Sequence, residues 1–454
     1  MLTCVMLVML LAMVVFGVDV GYMANARTEI QVATDAAALA GAGELVMGTT
    51  PARAEALDYL ARNKVCGRTL SASNATIDFG TWNPNGRIFI NGGGGAVPNA
   101  IRVSTLDQAQ PLFFGRVLGT GQFDTSASAI ATYQPRDIAI VLDYSGSMSF
   151  DSQLRSIGEL GQTAVEANLL QIYQQLGSPS FGSMVWKGSA YGNTSTPNAA
   201  IKAALGMNQT PWPLPTGSWD DYINYVKYDG YVAAAGHQCR YCYLTMLDYV
   251  LARRYTYNEI PLLWMTSQQP LTAMKDSVDV FLSFLQSHST DDRVALSIYS
   301  YSDNTARLEH ALTKQYSTIS ATVRQRQAGH YVGGTNISAG MNKGRLELQN
   351  NARVGACKMM VLMTDGVATL PTGNTTQDKA AVITEANACA ANKIPCVTIS
   401  LGSEADTSLM QQVADITGGA HFIVEGGQTV AQVKAQLEEV FGQVAADRPL
   451  KLVK

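Results

Sequence analysis

The sequence is poor in charge and has no basic excess. Only 15% of its 454 residues are Asp, Glu, Lys or Arg, and the formal net charge is −4. A nucleic-acid-binding surface needs clustered basic side chains to neutralise phosphates, so this balance argues against nucleic acid as a partner. The chain also lacks a G-x-S-x-G nucleophile motif and a phosphate-binding glycine loop. Because these common signals of an enzyme are missing, we predict a non-enzymatic protein.

Charge is missing altogether from the first 18 residues. The apolar run from Met1 to Val18 ends at Asp19, and a membrane-spanning helix needs roughly 17–25 such residues. We therefore predict a transmembrane helix over residues 1–24. A cleavable signal peptide is the alternative, since Ala24-Asn25-Ala26 offers an A-x-A cleavage site. The lack of a basic segment before the apolar run favours the anchor.

Cysteine is scarce, and its seven positions give an odd count. The pattern His237-x-Cys239-x-x-Cys242 offers three zinc ligands, but no second C-x-x-C or His pair completes a structural zinc site. It also lacks the βαβ surroundings of a thiol–disulfide exchange motif. We predict a local disulfide or two packed thiols here. A further pairing is possible among three later cysteines, Cys357, Cys389 and Cys396.

A chain of 454 residues is too long for one compact core, and its composition changes along its length. Residues 25–69 are Ala-rich and predict a helical stem. Residues 70–135 alternate apolar and polar positions between Gly- and Asn-rich turns, which predicts a small antiparallel β unit. Residues 136–446 predict alternating strands and helices. Residues 447–454 are predicted to form a short polar tail.

The most informative stretch is residues 137–149, a strand that ends on an acid. Ile138 to Leu142 is an unbroken apolar run, which predicts a strand buried on both faces. Asp143, Ser145 and Ser147 follow it in a compact Ser/Gly turn. In an open α/β sheet, ligands bind at the carboxyl ends of central strands. The turn therefore predicts a site for Mg²⁺, which prefers hard oxygen ligands.

Two distant stretches supply further oxygen donors, a Thr on a glycine loop and an Asp at the end of a second apolar strand. Together these residues resemble the von Willebrand factor type A domain and its metal-ion-dependent adhesion site. The resemblance implies an α/β fold with a doubly wound, mostly parallel, Rossmann-like sheet. It implies a site for Mg²⁺, or for Mn²⁺ or Ca²⁺, that would accept an Asp or Glu carboxylate from a partner protein. Its metal ligands would be Asp143, Ser145, Ser147, Thr335 and Asp365.

Residues 149–269 interrupt this pattern, because the expected next helix and strand are predicted only at 270–287 and 293–301. The insertion begins directly after the turn that carries Asp143, Ser145 and Ser147, so we expect it to overhang the predicted metal site. It holds eleven of the nineteen Tyr and four of the five Trp. Aromatic enrichment is typical of binding surfaces, but the rings could equally form the insertion's own core. The sequence leaves both interpretations open.

The N-terminal region resembles TadE/TadG-type pilus-assembly proteins, through Val18-Asp19-Val20-Gly21 and the Ala-rich stretch at 35–42. The resemblance implies a single-pass protein of the bacterial inner (cytoplasmic) membrane, with its C-terminal domain periplasmic or extracellular. It also implies partners in a tight-adherence (Flp) pilus assembly machine. We therefore predict a membrane-anchored, divalent-cation-dependent protein-binding or adhesion module. The alternative is a structural, minor-pilin-like subunit whose metal site is non-functional or purely structural.

Overall fold

The computed structural model describes residues 2–83, 86–92, 98–287, 291–301, 303, 305–353, 356–402, 404–424, 430–446 and 450–453. They divide into two compact units. The first comprises Met1–Pro135 together with the C-terminal residues from Ala446 onward. The second comprises Arg136–Ser287 and Asp291–Ala445.

The first unit packs a long helix against an antiparallel sheet. Its helices are α1 (Leu2–Glu44) and α2 (Thr49–Arg62). Its strands, among the described residues, are β1 (Lys64–Val65), β2 (Arg68–Thr69), β3 (Ala75–Asn83), β4 (Ile88–Asn91), β5 (Ala100–Pro111) and β6 (Gln122–Tyr133). The segment predicted as a small β unit therefore forms an antiparallel sheet, in the order β6, β5, β3, β4.

Small side chains let the second half of α1 approach this sheet closely. Ala26, Ala33 and Ala37 are fully buried and belong to one apolar cluster with residues of the sheet. A β-carbon added at Gly41 would lie only 2.6 Å from Ile101 Cδ1. The Ala-rich sequence predicted as a stem thus forms part of a packed core.

The first half of α1 contains the segment predicted to span a membrane. Within the part of the chain whose side chains are described, no helix is both long and apolar enough to cross a bilayer. Residues 1–5, 7–8 and 11–12 of the predicted anchor lie outside that part. The membrane anchor therefore stays a prediction.

The second unit is a doubly wound α/β fold, as predicted. Within the described residues its sheet has the order β12, β11, β10, β7, β8, β9, and the last pair is antiparallel while the others are parallel. The strands are β7 (Arg136–Asp143), β8 (Arg293–Tyr299), β9 (Ala306–Thr313), β10 (Cys357–Thr364), β11 (Cys396–Leu401) and β12 (His421–Val424). The helices outside the insertion are α9 (Leu271–Ser287), α10 (Tyr316–Arg324), α11 (Ile337–Asn351), α12 (Thr375–Ala391), α13 (Thr407–Thr417) and α14 (Val430–Ala446).

Strand β7 is central in this sheet and buried on both faces. Ile138, Ile140 and Leu142 belong to one apolar cluster, whereas Ala139 and Val141 belong to another. Successive side chains of a strand point to opposite faces, so the unbroken apolar run predicted from the sequence fills two cores at once.

The insertion at 149–269 folds into helices and loops. Its helices are α3 (Ile157–Leu160), α4 (Gln162–Gln175), α5 (Asn198–Ala204), α6 (Trp219–Tyr228), α7 (Gly230–Ala234) and α8 (Tyr243–Arg253). Residues 154–176 do not form one continuous helix. Gly161 adopts φ +86°, which ends α3 and directs the chain into α4.

The predicted polar tail instead forms a strand. Strand β13 (Leu450–Leu452) pairs antiparallel with β6 in the sheet of the first unit. Three residues are too few to show an alternating pattern, so the sequence carried no signal for this pairing.

Candidate metal centre

The ends of two neighbouring strands bring the predicted acids close together. Strands β7 and β10 pair in parallel, so their carboxyl ends lie at the same edge of the sheet. Asp143 is the last residue of β7, and Asp365 directly follows the last residue of β10. Both side chains are almost completely buried, with 0% and 6% of each residue exposed.

A chain of short contacts joins the turn after β7 to Asp365. The backbone N–H of Ser145 donates to Asp143 Oδ1 at 2.8 Å. The hydroxyl oxygens of Ser145 and Ser147 lie 2.8 Å apart. The Ser147 hydroxyl in turn donates to Asp365 Oδ1 at 2.7 Å. Four of the five predicted ligands thus belong to one hydrogen-bonded cluster.

Thr335, the fifth predicted ligand, reaches the same place from a loop. It directly precedes Asn336, whose side chain accepts from the Ala339 N–H and caps α11. A β-carbon built on Gly366 would lie 3.7 Å from Ser147 Oγ and 3.9 Å from Thr335 Oγ1. Both hydroxyls therefore lie around the same glycine, next to Asp365.

Thr364 supports the cluster, and the sequence analysis missed it. Its buried hydroxyl donates to Asp143 Oδ2 at 3.0 Å and contacts the backbone of Gly366 at 3.2 and 3.3 Å. One hydroxyl thereby contacts both strand-end segments. Ser300 adds a longer contact of 3.4 Å to Asp143 Oδ1. In the sequence, only the position of Thr364 directly before Asp365 pointed to this role.

Both acids have a raised pKa. Burial raises the pKa of Asp143 above its ordinary value. Burial also raises the pKa of Asp365 well above its ordinary value, and the negative charge of Asp143 adds to this effect. Like charges in a site with little water disfavour double ionisation. A cation between the carboxylates would remove that repulsion.

The donor set fits a small divalent cation. Neighbouring ligands of an octahedral Mg²⁺ lie about 2.9 Å apart, given metal–oxygen distances of about 2.0–2.1 Å. The Ser145–Ser147 and Ser147–Asp365 oxygen pairs are 2.8 and 2.7 Å apart. Two carboxylates and three hydroxyls are also the hard oxygens that such an ion prefers.

The insertion borders this cluster, as we expected. A cleft of about 410 Å³ is lined by Ser145, Ser147 and Thr335 on one side. Insertion residues line the other side, among them Arg155, Tyr225, Tyr231, Arg253 and Tyr255. An adjoining cavity of about 200 Å³ is lined by Ser147, Asp365 and Arg155, among other residues.

Tyr255 is held tightly against the loops around the cluster. A β-carbon on Gly146 would lie 3.1 Å from Tyr255 Cζ. One on Gly329 would lie only 2.0 Å from Tyr255 Cδ2, and Gly329 also has φ +69°, so glycine is required there. The insertion is therefore packed onto the loops at this edge of the sheet.

Both interpretations of the aromatic insertion hold in part. Trp219, Tyr222 and Tyr249 are buried in its own apolar cluster. Tyr231, by contrast, is 51% exposed and lines both the cleft and the adjoining cavity. The guanidinium of Arg155 lies over the rings of Phe150 and Tyr231, 3.6 and 5.2 Å from their centroids.

The two cysteines of the insertion lie in its apolar core. Cys239 and Cys242 are free thiols buried in its core, which agrees with two packed thiols. His237 contacts Glu166 at 2.9 Å, and burial lowers the pKa of this histidine. Cys389 and Cys396 are also free thiols, so no disulfide joins these two.

Three protein families match parts of the sequence. Residues 1–44 match the family described as Flp pilus-assembly TadE/G-like, and residues 35–131 match the family described as Tad-like Flp pilus-assembly. Residues 264–438 match the von Willebrand factor type A domain. The last match includes Thr335 and Asp365 but begins at residue 264, near the end of the insertion that separates it from Asp143. No curated protein matches the chain.

Several solved structures are distantly similar. An aerotolerance-related membrane protein from Bacteroides fragilis is 14% identical, with a TM-score of 0.29 over 38% of this chain and 90% of that one. BatB from Bacteroides thetaiotaomicron is 16% identical, with a TM-score of 0.30 over 39% and 90%. The pilus adhesin SpaC from Lactobacillus rhamnosus GG is 17% identical, with a TM-score of 0.30 over 39% and 28%.

The family matches and the fold agree with each other. The two pilus-assembly matches cover residues 1–131 of the first unit, and the third covers most of the strands and helices that follow the insertion. The chain is therefore similar to TadE/G-like and Tad-like Flp pilus-assembly proteins over residues 1–131 and to the von Willebrand factor type A domain over residues 264–438.

Proposed function

We propose that this chain is a membrane-anchored protein-binding module whose contact with its partner depends on a divalent cation. The single observation that carries the proposal is the buried cluster of oxygen donors at the ends of β7 and β10. Asp143, Ser145, Ser147, Thr335 and Asp365 would hold the ion, with Mg²⁺ as the first candidate and Mn²⁺ or Ca²⁺ as alternatives.

The donor count favours binding to a partner. Mg²⁺ prefers six oxygen ligands, and five protein donors leave one position for water or for an incoming carboxylate. When bound, the ion would supply a positive charge that attracts an Asp or Glu side chain of another protein. Insertion residues line the cleft opposite Ser145, Ser147 and Thr335, so an incoming carboxylate would pass beside the insertion.

The chain's own residues would orient the partner. Tyr231 and Tyr255 offer aromatic surface beside the donor cluster, and exposed Arg253 offers a cationic donor at the cleft. Aromatic and Arg side chains are enriched at protein interfaces. We infer that the insertion selects the partner, whereas the oxygen cluster provides the common ionic contact.

The family matches suggest where this happens. Pilus-assembly membership supports partners within an Flp pilus machine, and the apolar N-terminus supports a location at the bacterial inner membrane. We propose that α1 holds the protein at that membrane, with the second unit on the periplasmic or extracellular side. We propose no catalytic role.

The direct test is a titration of the full chain with Mg²⁺ in a calorimeter. Wild type should bind one ion, and Asp365→Asn should bind it at least about tenfold more weakly, because one carboxylate charge is lost. Asp415→Asn is the matched control, since Asp415 is an exposed acid of α13 outside the cluster.

A second measurement addresses the partner. Immobilised pilus-assembly proteins should capture the wild-type chain in Mg²⁺ and lose it in EDTA, and Asp365→Asn should behave like the EDTA sample. If capture is equally tight in EDTA, the ion has no role in binding. The minor-pilin-like structural subunit would then be the better interpretation.

A further inference from the structure

The β5–β6 connection in the first unit exposes two adjacent aromatic side chains. Phe113 and Phe114 are 63% and 40% exposed. The turn itself is well defined, because the Leu112 N–H donates to the Gly121 carbonyl at 3.1 Å. A β-carbon on Gly115 would also lie only 2.6 Å from the Thr120 carbonyl oxygen. A rigid turn thus presents apolar rings to its surroundings.

Asp19 of α1 holds this turn in place. Its carboxylate accepts hydrogen bonds from the backbone N–H groups of Phe113, Phe114 and Gly115, at 2.9, 3.1 and 2.7 Å. Asp19 is only 7% exposed, so these three donors replace the water around its charge. The sole acid near the apolar end of α1 is thereby used to fix the position of the two rings.

Tyr22, one turn further along α1, strengthens the attachment. Its ring meets that of Phe113 edge-on, with 5.0 Å between centroids. Its hydroxyl donates to Gln110 Oε1 at 3.1 Å. The turn therefore lies beside α1 at the level where the uncharged run of the sequence ends.

The part of α1 that precedes Asp19 exposes apolar side chains around most of its circumference. Met13, Val14, Phe16 and Val18 are 74%, 63%, 64% and 45% exposed, and Val20 is 45% exposed. At 3.6 residues per turn, these positions span roughly 200° around the helix axis. A helix that docks on one protein groove typically has a narrower apolar stripe, about 100° wide or a little more. Exposure over so wide an arc favours lipid as the neighbour.

We propose that the Phe113–Phe114 turn is a second membrane contact, in which both rings enter the interfacial layer of the bilayer beside α1. This inference rests on the membrane attachment of α1 in the proposed function. The buried, hydrogen-bonded Asp19 carboxylate allows the turn to come this close to lipid without exposing a charge. Aromatic residues at the boundary between headgroups and acyl chains fix the depth of an attached protein.

The test uses the full chain reconstituted into phosphatidylcholine vesicles containing anionic phosphatidylglycerol. A photoreactive benzophenone amino acid replaces one residue at a time: Phe16, Phe113, Phe114 or Ile88. Ile88 is the matched control, because it is 58% exposed on β4 of the same unit. After irradiation, mass spectrometry separates lipid adducts from crosslinked pairs of chains.

Lipid adducts at positions 113 and 114 should exceed those at position 88 by about tenfold, because the photoreactive group is the same at each position and labels lipid only where that position enters the bilayer. If only position 16 labels lipid, the inference about the turn is wrong while the anchor stands. If positions 113 and 114 crosslink to a second copy of the chain, the rings form a protein interface and the inference is also wrong. If position 16 does not label lipid either, the anchor fails together with the inference, whereas the metal titration is unaffected.

Discussion

Thr364→Val isolates the contribution of one buried hydroxyl to the metal centre. The substitution keeps the shape of the side chain and leaves all five proposed ligands in place. It removes the 3.0 Å hydrogen bond to Asp143 Oδ2 and both contacts to the Gly366 backbone. Asp143 and the segment carrying Asp365 would then have to be ordered by the cation itself.

The expected size of the effect follows from the charge on the acceptor. A hydrogen bond to an ionised group contributes about 1.5–3 kcal/mol, and each 1.4 kcal/mol changes an equilibrium constant about tenfold. We therefore expect Mg²⁺ affinity to fall by about 10–100-fold, which is also the usual effect of removing a hydrogen-bond partner of a metal ligand.

Calorimetric titration with Mg²⁺ and with Mn²⁺ measures this change. Thr398→Val is the control, because Thr398 is a fully buried threonine of the neighbouring strand β11 whose hydroxyl donates to the Met410 carbonyl at 3.0 Å. That variant should lose a similar amount of stability and keep its metal affinity. Wild-type affinity in Thr364→Val, or an equal loss in Thr398→Val, would refute the reasoning.

Two further predictions concern stability. Asp292→Asn should lower the free energy of unfolding by about 3–5 kcal/mol, since it removes a carboxylate charge 2.9 Å from the fully buried Arg136 guanidinium. Glu438→Gln, which breaks an exposed 3.8 Å pair with Lys434, should lower it by only about 0.5 kcal/mol or less. Equal losses for the two variants in urea titrations would contradict this prediction. Burial lowers the pKa of His330 from 6.5 to about 4, so the unfolded chain takes up its proton first as the pH falls. The contribution of His330 to stability is therefore present above pH 6.5 and is lost as the pH falls toward 4. Urea titrations at about pH 7.5 and about pH 4.5 measure this change. Between these two pH values, the free energy of unfolding should fall less for His330→Gln than for wild type.

Local pattern was sufficient to predict the elements that carry the donor cluster. The apolar run that precedes Asp143 favoured a buried strand, because five consecutive apolar side chains in a strand must be covered on both faces of a sheet. The helix predicted at 270–287 and the strand predicted at 293–301 agree with the structure to within two residues at each end. The predicted doubly wound fold class was confirmed by the strand order of this sheet.

The sequence also determined which chemistry the strand ends can perform. Hydroxyl and carboxylate oxygens are a property of the residue types, and no folding step changes them. The sequence could not reveal Thr364 as a supporting hydroxyl, since that role depends on the parallel pairing of β10 with β7.

Only the tertiary structure decided which helices pack together, which strands pair and which groups bond to Asp19. The rings of the insertion divide between its own core and the cleft because helices α6 and α8 pack against each other, which no local pattern encodes. Likewise, Leu450–Leu452 became a strand only because the edge of β6 offers backbone partners. Asp19 ended the apolar run in the sequence, but its bonds to the turn at 113–115 depend on residues more than ninety positions away. Sequence fixes the local preference and the donor chemistry of each segment, whereas long-range packing selects the partner that satisfies each buried backbone or charged group.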